Sequence, residues 1–114
     1  MLESTGLYGE SYTQWADLDH GSGRITPSPV KVPYLSHLFG EGISKLTDDT
    51  WIELTWKEKK VNILDRDSLE TVSTMPMWKG VKEGWGITLD PEKKILYVSD
   101  GSQTITRVNA DTLK

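Results

Sequence analysis

The sequence predicts an all-β fold made of β-propeller blades, and three observations carry that prediction. The chain repeats itself at a spacing of 44 residues, so that Gly42 returns as Gly86 and Asp67 as Asp111. The stretches between these landmarks match as well, with a one-residue slip in a turn. Trp51-Ile52-Glu53-Leu54-Thr55-Trp56 answers to Ile95-Leu96-Tyr97-Val98-Ser99-Asp100, and Leu64 to Glu70 answers to Val108 to Lys114. Helical periodicity is weak throughout, and turn signals recur roughly every 8–12 residues, as in all-β folds. A period of about 40–50 residues filled with short strands is the mark of propeller blades. A ring needs roughly four to eight four-stranded blades, and 114 residues hold two repeats and a leading segment. The sequence therefore reads as part of a ring: a partial leading blade and connection over 1–38, a blade over 39–82 and an incomplete blade over 83–114. An independent β-sandwich suits the length better, but the repeat argues against it.

Taken in order, Tyr12 to Leu18 alternates loosely and ends at the flexible turn His20-Gly21-Ser22-Gly23. Arg24-Ile25-Thr26 follows. Pro27 and Pro29 then exclude a central strand, because proline cannot donate to a ladder, and Val30 to Pro33 reads as a short edge-like stretch. Regular strands begin after Phe39: Ile43 to Leu46, Trp51 to Trp56, Val61 to Leu64 and a weak fourth, Thr71 to Thr74, stopped by Pro76. The repeat then gives Gly86 to Leu89, Ile95 to Ser99 and Ile105 to Asn109, with turns at Asp90-Pro91-Glu92-Lys93 and Asp100-Gly101-Ser102. The chain ends where a fourth strand is due, which leaves an expected open edge, a liability that closure normally removes.

Composition excludes some functions. Thirteen basic and seventeen acidic residues give a net charge of −4 with no basic patch, which argues against nucleic acid as a partner. There is no cysteine, hence no disulfide framework or thiolate site. No apolar run approaches the roughly 18 residues of a membrane helix. Met1 is followed at once by Leu2-Glu3-Ser4 and not by a leader pattern, and the compartment is left open. His20 and His37 lack zinc-ligand spacing. Five Trp and four Tyr stand against a single Phe, a composition suited either to β cores or to binding pockets.

The repeat itself points to a site. Glu41 in Gly40-Glu41-Gly42 and Trp85 in Gly84-Trp85-Gly86 hold the same phase, just before the first strand of consecutive blades. Inner strands line the channel, so the two should be neighbours at one channel mouth. The flanking glycines permit close backbone approach and positive φ. Burial against an indole disfavours a charged carboxylate and would raise the pKa of Glu41 toward the range of a general acid/base. The plainer alternative is that G-x-G is a bulge-like turn and Glu41 is solvated. Trp56 corresponds to Asp100 in the next repeat. A strand Trp more often packs in a core, and Asp100 suits a turn that bonds its own backbone. Trp15, Trp51 and Trp78 are assigned to packing, and Lys57-Glu58-Lys59-Lys60 to a solvated turn.

Five motifs occur in order: Glu3-Ser4-Thr5-Gly6-Leu7-Tyr8-Gly9, Phe39-Gly40-Glu41-Gly42, Leu54-Thr55-Trp56, Glu83-Gly84-Trp85-Gly86 and Ser99-Asp100-Gly101. Each is weak alone. Together they resemble the plant and bacterial glutaminyl-peptide cyclotransferases (glutamine cyclotransferases) over essentially the whole chain. The resemblance implies a five-bladed propeller that converts N-terminal glutamine to pyroglutamate with release of ammonia, acting on peptides or proteins with N-terminal glutamine. That chemistry requires no metal or cofactor. By position, Glu41 matches the acid/base carboxylate of the family, and Phe39, Trp56 and Trp85 match the aromatic walls of its pocket. The Phe-Thr-Gln-Gly-Leu segment of the family is absent, as are the later blades that supply an Asn, a further Trp and a Lys. The 114-residue piece is therefore expected to be inactive alone. Two other readings stay open. One is a non-catalytic propeller scaffold binding peptide or glycan through a Trp-rich face. The other is a two-blade product that assembles with further copies.

Overall fold

The computed structural model describes residues 2–4, 6, 9–10, 12–19, 21–33 and 40–114. Phe39, His20 and His37 lie outside the described residues. Ten strands and no helix occur among those that are described. They are β1 (Leu2–Ser4), β2 (Tyr12–Leu18), β3 (Ile25–Pro33), β4 (Gly40–Lys45), β5 (Thr50–Thr55), β6 (Lys60–Asp65), β7 (Thr71–Pro76), β8 (Ile87–Asp90), β9 (Ile95–Ser99) and β10 (Ile105–Asn109). They form three antiparallel meanders, ordered β1-β2-β3, β4-β5-β6-β7 and β8-β9-β10. The first strand of each sheet lies beside the first strand of the next, β1 against β4 and β4 against β8. Meanders stacked through their inner strands are the arrangement of propeller blades.

The repeat is visible in the backbone of its turns. Asp65 closes β6 by accepting the N–H groups of Asp67 and Ser68 on its side chain, and Asn109 does the same for Asp111 and Thr112. Each turn ends on a leucine in the left-handed region, Leu69 at φ 60° and Leu113 at φ 57°. Short Asx side chains bond their own turns and so favour this geometry. The slip is visible too, because Lys45 pairs with Trp51 whereas the matching Leu89 pairs with Leu96, one residue further on.

β3 differs from its sequence reading. It is one nine-residue strand through Pro27, Pro29 and Pro33, not two fragments. It is the edge of its sheet, and its register with β2 shifts between Gln14 and Ala16, where three residues of β3 lie opposite Trp15. Edge position and bulge are the two settings in which a strand tolerates proline.

Alternation along β5 explains why the central blade is buried on both faces. Ile52 and Leu54 join Val61, Ile63, Val81, Leu96, Val98 and Val108 in one core shared with the third sheet. The intervening residues face the leading sheet. Trp51 meets Trp15 edge to face, ring centroids 5.5 Å apart, and the buried carboxylate of Glu53 accepts from Thr13 Oγ1 at 2.8 Å. Asn62 Nδ2 donates to the second Glu53 oxygen at 3.1 Å, and Thr74 Oγ1 donates to Asn62 Oδ1 at 3.0 Å. A carboxylate taken from water must be hydrogen-bonded, and these donors come from two sheets. Asn62→Leu removes one of them, so it should cost about 1–3 kcal/mol, read from the denaturant midpoint. An unchanged midpoint would show that Glu53 does not depend on this donor.

Candidate functional site

The site begins with an irregularity in β4. Gly40 pairs with Thr55 and Ile43 with Glu53, so Glu41 and Gly42 together oppose Leu54 alone. This is a β-bulge, a device that re-aims a side chain and often lies next to an active site. The bulge-like reading of Gly40-Glu41-Gly42 is thus right about the backbone. Solvation is not, because Glu41 is half-buried. Burial is the largest cause that raises its pKa above the ordinary value, and the negative charges of Glu58 and Glu83 raise it further. On its other side, the Ser4 hydroxyl of β1 donates to the Glu41 carbonyl. The first motif therefore holds the backbone of the acidic residue.

Three of the four glycines act by close approach. Gly42, Gly84 and Gly86 lie outside the positive-φ region, contrary to the sequence expectation. Gly42 N–H donates to the Trp85 carbonyl at 2.7 Å, and a Cβ on Gly42 would lie 2.6 Å from that oxygen. A hydrogen-bonded contact this tight between inner strands leaves no space for a side chain. It makes Glu41 and Trp85 backbone neighbours, as their common phase predicts. Gly84 N–H donates to the Trp56 carbonyl at 3.0 Å and brings the connection between blades onto the end of β5.

Trp56 and Trp85 meet through a residue that sequence reasoning passed over. Trp56 Nε1 donates to Glu83 Oε2 at 2.8 Å, and Trp85 Nε1 donates to the same oxygen at 3.0 Å. These donors, that of Trp85 first, hold the Glu83 carboxyl below its ordinary range, and the nearby Lys57 adds to the effect. The Lys57 ammonium sits 4.1 Å from the centre of the Trp56 ring, so this residue is more than part of a solvated turn. The Trp85 ring packs over Gly101, whose φ of 79° and missing Cβ admit it; a Cβ there would lie 2.8 Å from Cε2. Asp100 is the expected Asx turn, accepting from Ser102 N–H at 3.0 Å, and it also accepts from Lys82 N–H at 3.1 Å. That second bond ties the β9–β10 turn to the connection that carries Glu83.

One end of the two blades therefore collects Glu41, Glu58 and Glu83 with Trp56, Trp85 and Lys57. The two blades supply their groups in opposite order: an acid at the inner phase and an indole at the turn in one, an indole and then Asp100 in the other. Trp15, Trp51 and Trp78 lie apart, in packing roles. Trp51 Nε1 donates to the Arg66 carbonyl at 3.3 Å and Trp78 Nε1 to the Leu113 carbonyl at 2.9 Å. Among the described residues, no group of three or more His, Cys, Asp or Glu side chains is placed to share a metal ion. No helix among them is long and apolar enough to cross a membrane.

The glutamine cyclotransferase family model matches residues 1–114. The glutaminyl-peptide cyclotransferase of Arabidopsis thaliana is 32% identical over 114 residues, which is the whole of this chain and 32% of that relative. The chain thus spans about a third of the length of the curated relative it matches. With its motifs, its blade-like sheets and a family match along its entire length, the chain belongs to the glutamine cyclotransferase family.

Proposed function

We propose that this chain contributes to a glutaminyl-peptide cyclotransferase, with Glu41 as the acid/base group and Phe39, Trp56 and Trp85 as aromatic walls of the pocket. The observation that carries the reading is Glu41 itself: a half-buried carboxyl on a bulge, raised in pKa, at the end of the blades where two indoles meet. The substrates are peptides or proteins with N-terminal glutamine. The neutral α-amine attacks the side-chain carboxamide carbon and a C–N bond forms. Glu41 in its ionised form accepts the proton lost by the amine and returns it to the amide nitrogen. The old C–N bond then breaks, ammonia leaves and a pyroglutamyl end remains. A raised pKa suits both halves of that exchange, because an acid/base group is most effective near the working pH. Indole walls hold the two methylenes of the side chain folded over the amine, which turns a flexible chain into a near-attack geometry. Family membership supports the reaction, and the name of the Arabidopsis relative supports the substrate.

The test is ammonia release from a glutamine-initiated peptide, with the N-acetylated peptide as the blocked control. The 114-residue chain and the full product of its gene are assayed side by side. Release by the gene product that depends on a free amine supports the reading. Binding of the peptide with no release above the uncatalysed rate would sink it and favour a non-catalytic scaffold.

A further inference from the structure

We propose that Glu83 is the positioning residue of this site: one of its carboxylate oxygens takes the indole N–H groups of Trp56 and Trp85 and holds two aromatic walls from neighbouring blades in one arrangement. The inference rests on the proposed reaction for its catalytic consequence but not for its geometry.

Burial alone is a weak constraint on these two rings. Trp85 is 51% exposed and Trp56 is only half-buried. An exposed indole normally samples several rotamers, and holding it costs side-chain entropy. Here each ring has at least two anchors. Trp85 lies on Gly101 and donates to Glu83, while Trp56 lies under the Lys57 ammonium and donates to Glu83. An indole has one donor, so rotation of either ring away from Glu83 breaks its bond to an ionised acceptor. Such bonds are about twice as strong as neutral ones. Glu83 can serve both rings because the Gly84 N–H bond to the Trp56 carbonyl brings its segment to the end of β5.

The chemical consequence is specific. With both N–H groups taken by Glu83, the two indoles meet a substrate with ring faces and C–H edges only. They serve the methylenes of a glutamine side chain and do not serve as oxyanion donors. The donor for the tetrahedral oxygen must come from another group.

The experiment uses the protein as its gene expresses it. The indole N–H resonances of Trp56 and Trp85 are assigned with Trp56→Phe and Trp85→Phe, and then followed in Glu83→Ala and Glu83→Gln alongside kcat and KM for a glutamine-initiated peptide. In Glu83→Ala both resonances should move together while the remaining spectrum stays dispersed, and kcat/KM should fall by about 10²-fold through lost orientation. Glu83→Gln retains an accepting oxygen and should recover both resonances and most of the activity. Unmoved resonances in Glu83→Ala would overturn the proposal. So would a Glu83→Gln variant with native resonances and the full activity loss, since that would make the charge of Glu83 chemical and not positional. If the unmutated protein releases no ammonia, the cyclotransferase reading fails, and the resonances alone judge the clamp.

Discussion

Gly84→Ala should be the most destabilising single-methyl change in this part of the molecule. A Cβ at position 84 would lie 2.1 Å from the Thr55 carbonyl oxygen and 2.8 Å from the Leu54 Cβ. The first of these atoms belongs to the backbone and cannot rotate away. Thr55 pairs with Gly40 at the start of β4, so a shift of its peptide would disturb the bulge that carries Glu41. The methyl can be accommodated only if the connection lifts from β5, and that breaks the Gly84 bond to the Trp56 carbonyl and separates Glu83 from Trp56. Overpacking in a rigid setting costs about 1–3 kcal/mol and sometimes more. With a backbone oxygen as the obstacle, the upper end is expected, which is a fall in Tm of about 10 °C or more for a chain of this size. Gly80→Ala is the comparison. Its Cβ would enter open space and only its φ of 92° opposes the change. If thermal melts show Gly84→Ala no worse than Gly80→Ala, close approach is not what fixes glycine at position 84.

In the full gene product, the proposed acid/base role predicts that Glu41→Gln removes activity while leaving stability intact or improved, a combination expected of a catalytic group and not of a structural one. Loss of the proposed proton carrier should lower kcat by about 10²–10⁴-fold. The stability effect has the opposite sign. Folding raises the pKa of Glu41 above its ordinary 4.5, by burial first and then by the charges of Glu58 and Glu83. The folded state therefore binds the proton more tightly than the unfolded one. As pH rises from the ordinary value through the raised one, the wild type loses stability, and the deficit persists at neutral pH. The amide has no such deficit. Denaturation at neutral pH should find the variant at least as stable as the wild type, with the difference closing as pH falls below 4.5. A variant both inactive and clearly less stable at neutral pH would move Glu41 out of the catalytic role.

Much of this architecture was legible because the repeat is written into turn chemistry. Asp65 and Asn109 start the same Asx turn, and Leu69 and Leu113 end it with the same left-handed backbone. The shared phase of Glu41 and Trp85 was legible for the same reason, since equal phase in adjacent blades means adjacent backbones. The continuity of β3 was hidden, because three prolines signal interruption unless an edge and a bulge are known to receive them. The charges that act on Glu41 were hidden as well. Glu58 lies in a hairpin loop, and Glu83, in the phase of Phe39, lies in a connection, where phase alone does not show which side chains it meets. Glu58 comes close because Gly40 pairs with Thr55 at the mouth of its hairpin, and Glu83 because the Gly84 contact brings its connection to the end of β5. Ser4 stands in the first of the five motifs, and its bond to the Glu41 carbonyl ties that motif to the bulge.

The opposite order of acid and indole in the two blades sets a limit on symmetry. A chain engineered from copies of either blade would keep the fold signals of strands, turns and glycines. With copies of the first, every inner position would carry a carboxylate, and with copies of the second, every inner position would carry an indole. Neither uniform ring would set a carboxylate beside an indole at the inner phase of adjoining blades. Duplication can account for the frame but not for the proposed site: Glu41 and Trp85 share one phase, Trp56 and Asp100 another, and a consensus design would make each pair alike.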